Sequence, residues 1–357
     1  MHARIRGLGQ WFPEKIRKNS DWPPAFSEAS RLGHGDRALV DVPSDDRDQA
    51  RKIVKRYLAE EAGDAFLGAR ERRVAEPEMT SAQAEAEAGR AALADAGVAA
   101  EQVDAIFSWA LVPDRLMPSN ACRVGHLLGA RRAWSGSVDL ACASPVAQLN
   151  LAAALIESGR ARTVLLTQSH LATRTFPMAH PAAPSVGDGA SAMLVTESET
   201  RGILESHSMT HGEYADAVVW CRGRSDDSDP PWWQAGGPLS MGSRSPDDTR
   251  QLMQDTVPTA ARTVSELAER AGFSVDSIDV LLSVQPRRWV PPAIAESLGL
   301  PANRAVQTYE RYAHLGGVGP VINLIAARAA GRLHPGARIV MYAQGAGFTR
   351  AAVALSW

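Results

Sequence analysis

The chain has 357 residues, which is enough for one large domain or two medium-sized ones with a substantial core. A net charge of −2, with 22% charged and 45% hydrophobic residues, excludes the basic excess of a nucleic-acid-binding protein and the acidic run of a disordered tail. No apolar segment is long enough for a signal peptide or a membrane span, and three scattered cysteines cannot build a disulfide framework, so we expect a reduced, cytoplasmic setting.

Helices and strands are predicted to alternate along the chain. The first predicted helix, 47–62, lies within a segment at about 20–65 that reads as an insertion. Alanine-rich segments at 81–97 and 260–272 also predict helices. Short apolar runs bounded by turn residues predict strands at 103–112, 163–169, 191–197, 278–284, 338–345 and 351–357. This alternation indicates an α/β protein.

Two parts of the chain resemble each other at one fixed offset. The segment "ADAGVAAEQVDAIFSWA" (94–110) matches "ERAGFSVDSIDVLLSV" (269–284), and Pro145 matches Pro320, so that the offset is 320 − 145 = 175 positions. Separate segments that share one register without a gap indicate duplication of a long unit rather than a short solenoid repeat. We therefore predict two copies of one α/β unit that face each other.

This duplication divides the chain into two domains. The N-terminal half, residues 1–200, contains the insertion, and the C-terminal half, residues 201–357, contains lid loops predicted at about 210–257. Prolines and glycines in "SDPPWWQAGGP" favour such loops. Within them, Trp232 and Trp233 either line an acyl or acceptor pocket or simply anchor a loop.

A cysteine lies where a strand is predicted to give way to a helix. The strand "SVDLA" is predicted to end at Ala141, and a helix to begin near Ser144–Pro145, because proline in a first turn needs no N–H partner. Cys142 would then lie at a helix N-terminus, where the helix dipole lowers the pKa of a thiol and favours the nucleophilic thiolate. A buried, inert cysteine fits the local sequence equally well.

The second copy offers partners for this cysteine. His314 lies three residues before the position opposite Cys142, so facing turns would bring its imidazole to the thiol. Gln285 follows the strand predicted over 278–284. The glycine-rich "AQGAGFTR" follows another strand and can direct backbone N–H groups at an oxyanion.

Seven segments match landmarks of one family, in that family's order. They are "ARIRGLGQWFPE", "GARERRVAEP", "MPSNACRVGHLLGA", "VDLACAS", "VGDGASAMLV", "HLGGVGP" and "AQGAGFTRAA". With them the chain resembles the thiolase superfamily, and within it the β-ketoacyl-acyl carrier protein synthase III-like enzymes. The resemblance implies a five-layered α-β-α-β-α fold of two duplicated halves, and a homodimer. It also implies an acyltransferase that forms a cysteine thioester from acyl-coenzyme A or acyl carrier protein, with no metal or further cofactor.

The resemblance also assigns roles to individual residues. Cys142 matches the nucleophile, and its backbone N–H together with that of Ala346 matches the oxyanion hole. Met117 stands where a side chain of the partner subunit commonly closes the acyl pocket. Arg288 stands where the family often has an asparagine that contacts the pantetheine arm.

Two positions depart from the family pattern. Synthase III enzymes usually have a histidine where this chain has Gln285, and an asparagine where it has His314. An amide is no general base, so Gln285 can only donate N–H bonds to a thioester oxygen. His314 can take the thiol proton or donate to the same oxygen, depending on its tautomer. We therefore predict a Cys–Gln–His catalytic set, which resembles that of thiolases.

Two reactions are compatible with that set. In the first, acyl-Cys142 condenses with a malonyl-type thioester, whose enolate oxygen is held by Gln285 and His314 after decarboxylation. In the second, no carbon dioxide is lost and an alcohol or amine accepts the acyl group, with His314 as the base. An inactive scaffold partner is a third interpretation, against which the intact Cys142 and His314 argue.

Overall fold

The computed structural model describes residues 1–26, 49–222, 237 and 239–357. Within them the chain forms two five-stranded sheets and two two-stranded ones. The strands, in chain order, are β1 (His2–Trp11), β2 (Ile16–Lys18), β3 (Glu71–Arg73), β4 (Ala105–Ala110), β5 (Trp134–Ser137), β6 (Thr163–Leu171), β7 (Asp188–Ser198), β8 (Ile203–Thr210), β9 (Val219–Arg222), β10 (Leu239–Gly242), β11 (Val280–Ser283), β12 (Ala305–Val306), β13 (Arg338–Gly345) and β14 (Thr349–Ser356).

Helices separate many of these strands. In chain order they are α1 (Gln49–Glu61), α2 (Ser81–Ala96), α3 (Asn120–Leu128), α4 (Ser144–Glu157), α5 (Pro246–Ala271), α6 (Val290–Ser297), α7 (Tyr309–Tyr312) and α8 (Val318–Ala329). The predicted helix at 47–62 is confirmed as α1. The six predicted strands are found as β4, β6, β7, β11, β13 and β14, with ends shifted by a few residues.

The two large sheets repeat one topology. The first has the order β1-β7-β6-β4-β5, and the second has β8-β14-β13-β11-β12 when followed in the same direction. Ala105 pairs with Val164 between β4 and β6, and Val280 pairs with Ile339 between β11 and β13. Both members of the pair are displaced by 280 − 105 = 175 positions, so the offset in the sequence is also an offset in hydrogen-bond register.

Helices and sheets alternate in five layers. α4 and α8 lie between the sheets, where Leu149 and Leu324 belong to a core that includes Val164 and Ile339 from the two sheets. α2 and α3 cover the outer face of the first sheet, and α1, α5 and α6 cover the outer face of the second. The predicted α-β-α-β-α fold is confirmed, because helices that are apolar nearly all round have to be buried between sheets.

The helix in the predicted insertion packs against the C-terminal half, not against the half to which it belongs in sequence. α1 belongs to the N-terminal 200 residues, but Ile53, Val54 and Leu58 pack against α5 and α6 of the second half. One half therefore supplies part of the outer layer of the other.

The predicted lid loops extend too far toward the C-terminus. A helix starts at Pro246, inside the range 210–257, and continues to Ala271 through Pro258. The segment reads as loop because a proline inside a helix usually ends it. However, Pro246 occupies the first turn, and Asp247 and Asp248 follow it there, which is a favourable helix start. No helix of the described residues is long and apolar enough to cross a membrane.

Candidate active site

The turn before α4 holds Cys142. β5 ends at Ser137, not at Ala141 as predicted, because Ala141 has a left-handed φ of +49° that a strand cannot contain. Asp139 stabilises this turn: its Oδ1 accepts the N–H of Ala141 at 2.8 Å and the indole N–H of Trp109 at 2.9 Å. The predicted helix start near Ser144–Pro145 is confirmed, and Cys142 lies just before it.

A second turn brings His314 to the thiol. His314 follows α7 and precedes α8, and its backbone N–H donates to the carbonyl of Ser185 at 2.8 Å. Its Nδ1 donates to the carbonyl of Gln285 at 3.2 Å. Because a carbonyl oxygen only accepts, this bond assigns the ring hydrogen to Nδ1 and leaves a lone pair on Nε2. Nε2 lies 3.9 Å from Sγ of Cys142, so an acceptor of the thiol proton faces the nucleophile.

Both members of this pair are neutral at rest. Burial and the nearby Asp139 carboxylate raise the pKa of the Cys142 thiol to about 12. Burial lowers the pKa of His314 to about 4. The sequence predicts a thiolate stabilised by the helix dipole, but a dipole is worth only about 0.3–1 kcal/mol, which is less than one pKa unit. Burial therefore outweighs the lowering of the thiol pKa that is expected from the helix dipole.

Gln285 does not face the reacting groups with its amide. Its side chain is fully buried. Nε2 donates to Thr308 Oγ1 at 3.0 Å, and Oε1 accepts from the N–H of Thr308 at 3.1 Å and from Asn323 at 3.3 Å. These bonds use the oxygen and one of the two amide hydrogens, and because the side chain has no exposed surface, the second hydrogen does not face the reacting groups. The contact of Gln285 with the site is its backbone carbonyl, which orients His314.

The glycine-rich turn after β13 lies beside Cys142. Gly345 approaches so closely that a Cβ there would be 2.0 Å from the carbonyl oxygen of Leu140 and 3.2 Å from Cβ of Ala141. Only glycine permits this contact. Ala346 follows directly, and the oxyanion hole formed by its N–H and that of Cys142 stays a prediction.

The predicted binding residues lie outside this cluster. Met117 is 84% exposed, so within one chain it closes no pocket, and its contribution to a partner subunit stays a prediction. Arg288 lines a cavity of about 240 Å³, and its Nε lies 2.8 Å from Glu310 Oε1. An exposed ion pair of this kind is worth about 0–1 kcal/mol, so Arg288 can exchange it for a substrate. Trp232 and Trp233 lie outside the described residues.

A further histidine belongs to the cluster and is absent from the predicted set. His170 is the penultimate residue of β6 and is 2% exposed, and its ring centroid lies 5.6 Å from that of His314 at an interplanar angle of 72°. The signal was present in the repeat: His170 is the counterpart of Gly345, at the offset 345 − 170 = 175, and Gly345 opens the glycine-rich turn.

Comparison with known proteins identifies the family. The family 3-oxoacyl-[acyl-carrier-protein] synthase III matches residues 137–212, and its C-terminal domain matches residues 268–357. A β-ketoacyl-[acyl-carrier-protein] synthase III of Granulibacter bethesdensis is 30% identical over 352 residues, which are 97% of this chain and 96% of the relative. The chain belongs to the β-ketoacyl-[acyl-carrier-protein] synthase III family.

Solved structures agree with this assignment at the level of the fold. The 3-oxoacyl-[acyl-carrier-protein] synthase III of Aquifex aeolicus superposes with a TM-score of 0.78 at 24% identity and covers 99% of this chain and 100% of its own. The priming β-ketosynthase of the R1128 polyketide biosynthetic pathway gives 0.80 at 22% identity, covering 99% and 96%. As a synthase III family member of the thiolase superfamily, the protein is an acyltransferase.

Proposed function

We propose that this synthase III family member accepts an acyl group on Cys142 and condenses it with a malonyl-type thioester. The observation that carries the proposal is the distance of 3.9 Å between Sγ of Cys142 and the unprotonated Nε2 of His314. The synthase III relative that matches almost the whole chain supports the condensation. Acyl-coenzyme A or acyl carrier protein would bring the acyl group, and no metal or other cofactor would take part.

In the first half-reaction, Sγ attacks the carbonyl carbon of the donor thioester while the thiol proton passes to Nε2 of His314. The backbone N–H groups of Cys142 and Ala346 would stabilise the oxyanion. Collapse of this intermediate breaks the bond to the donor sulfur, which leaves with the proton from His314. Arg288 would hold the pantetheine arm of the donor at the entrance.

In the second half-reaction, carbon dioxide leaves the malonyl group and its bonding electrons form an enolate. The enolate carbon attacks the acyl carbonyl, the bond to Sγ of Cys142 breaks, and Sγ takes up a proton that solvent supplies through His314. The enolate oxygen needs a hydrogen-bond donor. Since the amide of Gln285 is buried, His314 would supply it from Nε2 as an imidazolium, because the hydrogen of the neutral ring is on Nδ1.

A second candidate is acyl transfer without decarboxylation, to an alcohol or amine. It shares the first half-reaction, and the buried amide of Gln285 together with the bare Nε2 of His314 favours it. A site that presents a proton acceptor suits a substrate that has to lose a proton, whereas an enolate requires a donor.

Intact-protein mass spectrometry with a panel of acyl-coenzyme A and acyl-carrier-protein donors tests the shared step. We expect one acyl adduct in the wild type and in Cys122→Ala, a matched control because Cys122 is free and exposed. Cys142→Ala should carry none. Absence of an adduct with every donor in the wild type contradicts the proposal.

Carbon dioxide release from labelled malonyl thioesters separates the two second half-reactions. Release that depends on prior acylation of Cys142 supports condensation. Acyl transfer to an alcohol or amine without release supports the second candidate instead.

A further inference from the structure

His170 has the contacts of a functional group rather than of a packing residue. Its Nδ1 donates to the carbonyl of Gly187 at 2.8 Å, which again assigns the hydrogen to Nδ1 and a lone pair to Nε2. Within the described part of the chain, Nε2 has no hydrogen-bond partner. The side chain is only 2% exposed, so this lone pair is unpaired in a nearly buried setting. A histidine used only for packing would have both nitrogens satisfied.

The free edge of this ring faces the turn that carries His314. A Cβ built on Gly316 would lie 2.6 Å from Cδ2 and 3.2 Å from Nε2 of His170. The turn therefore reaches the ring at a residue without a side chain, and Trp109 borders the same residue at 3.1 Å. Trp109 in turn donates to Asp139 in the turn of Cys142, so the two histidines and the nucleophile line one continuous cluster.

One short segment fixes both imidazoles. The carbonyl of Ser185 accepts the backbone N–H of His314, and the N–H of Gly187 donates to the carbonyl of His314 at 3.1 Å. The carbonyl of Gly187 holds His170. A Cβ at Gly187 would lie 2.2 Å from the carbonyl oxygen of Tyr312, so glycine is required for this close approach. The two rings are therefore held in one fixed mutual orientation.

We propose that His170 is a second catalytic base, which takes the proton of a hydroxyl or amine that accepts the acyl group from Cys142. The proposal rests on acyl-Cys142 and names the base for the second candidate reaction. The acceptor oxygen or nitrogen attacks the thioester carbonyl while its proton passes to Nε2 of His170. The carbon–sulfur bond then breaks, the ester or amide leaves, and Sγ takes up that proton.

The two imidazoles would act on different groups in this reaction. His314 faces Sγ, and while the acyl group is on the sulfur it lies against the thioester itself. The ring of His170 lies beside that of His314, at 5.6 Å between centroids, and its Nε2 has no hydrogen-bond partner in the described part of the chain. Burial and the neighbouring His314 lower the pKa of His170 to about 3, so its lone pair is available at neutral pH.

The test uses acyl-Cys142 preloaded from an acyl-coenzyme A, with hydroxylamine and water as small probe acceptors. In His170→Asn, the amide N–H can keep the bond to Gly187, but no group can accept a proton. We expect its acyl-enzyme to decay on the order of 100-fold more slowly than that of the wild type, the low end for general base catalysis. His170→Gln, which places an amide nitrogen near Nε2, should be slow as well.

The outcomes are distinct. Decay at the wild-type rate in both variants overturns the proposal. So does a loss of Cys142 acylation as large as the loss of decay, because His170 would then act in the first half-reaction or in folding. A variant that loses carbon dioxide release from a malonyl thioester but keeps hydroxylamine decay would assign His170 to condensation and also overturn it. Failure of the wild type to form any acyl-enzyme would instead contradict the proposed function.

Discussion

The turn at 139–142 and its duplicate at 314–317 follow a similar backbone path with different side chains. Each has leucine in its second position and a left-handed third residue, Ala141 at φ +49° and Gly316 at φ +52°. Each leads into a helix between the sheets, α4 or α8. The first copy ends in Cys142 and the second begins with His314. One duplicated turn has therefore supplied the proposed nucleophile, and the other the proposed base.

The first position of each turn shows how the copies diverged. Asp139 uses its carboxylate within its own copy, to hold Ala141 and Trp109. His314 stands at the same place in the repeat, and its ring points across the interface between the halves to Cys142. The strand ends beside the turns differ as well. Gly345 packs against the backbone of Leu140 beside Cys142, and its counterpart His170 lies beside His314.

The largest expected effect is that of replacing the proposed nucleophile in the first turn. Cys142→Ala should form no acyl adduct with any donor, because it removes the sulfur that lies opposite His314. The loss of turnover should be on the order of 1000-fold or more, as for other nucleophiles that act as a unit with their base. Intact mass and steady-state assays measure it, and an adduct retained in this variant would refute the assignment.

Removal of the base should change both the rate and its pH dependence. His314→Ala should slow acylation by about 10²–10⁴-fold. In the wild type, the thiol is neutral below about 12 and His314 is unprotonated above about 4, so acylation should be nearly independent of pH around neutrality. Without His314 only thiolate reacts, so the rate should rise about tenfold per pH unit.

Acylation rates measured across this pH range in the wild type, in His314→Ala and in His334→Ala check the prediction. His334 is exposed and distant from the cluster in the fold, so its variant should follow the wild type. A flat profile in His314→Ala would contradict the role of the imidazole.

The two left-handed positions should respond unequally to exchange of their residues. Gly316→Ala adds a left-handed alanine, which costs about 1–2 kcal/mol, and a Cβ that collides with His170. Ala141→Gly removes the same backbone strain but adds about 0.4–1 kcal/mol of unfolded-state entropy, so its net effect should be small. Denaturant unfolding measures the free energy of unfolding of both variants. Equal losses in the two variants would contradict the expected difference between the turns.

Gln285 provides the smallest catalytic effect. In Gln285→Ala the backbone carbonyl that orients His314 remains, but Thr308 and Asn323 lose their partner, at a cost of about 1–3 kcal/mol of unfolding free energy. We expect reduced stability and a change of less than about tenfold in the acylation rate, which corresponds to about 1.4 kcal/mol in activation free energy. A selective loss of the second half-reaction at full stability would restore the predicted contact of its amide with substrate.

Much of the fold could be predicted because its signals are local or repeated. Apolar runs and alanine-rich segments locate the strands and helices, and the offset of 175 positions reappears as the register of β4–β6 and β11–β13. α5 was the exception, because Pro258 reads as a break although the helix passes through it. Packing on the second sheet outweighs the local cost of one proline.

The site was predictable in its outline but not in its contacts. The repeat alone indicates that the turns of Cys142 and His314 converge, since copies that face each other bring duplicated strand ends together. It does not indicate that Thr308 and Asn323 occupy the amide of Gln285, because both lie on other elements. The same holds for the pKa of Cys142, which burial raises more than a helix dipole can lower it.

The sequence by itself therefore determined the architecture of this protein, the duplicated turn and the identity of the thiol and imidazole. Only the tertiary structure decided which polar groups are free to react. That decision depends on burial and on hydrogen bonds between residues far apart in the chain, as for the lone pairs on Nε2 of His314 and His170. Such contacts leave no periodic signal in a sequence, because they form only when the layers pack.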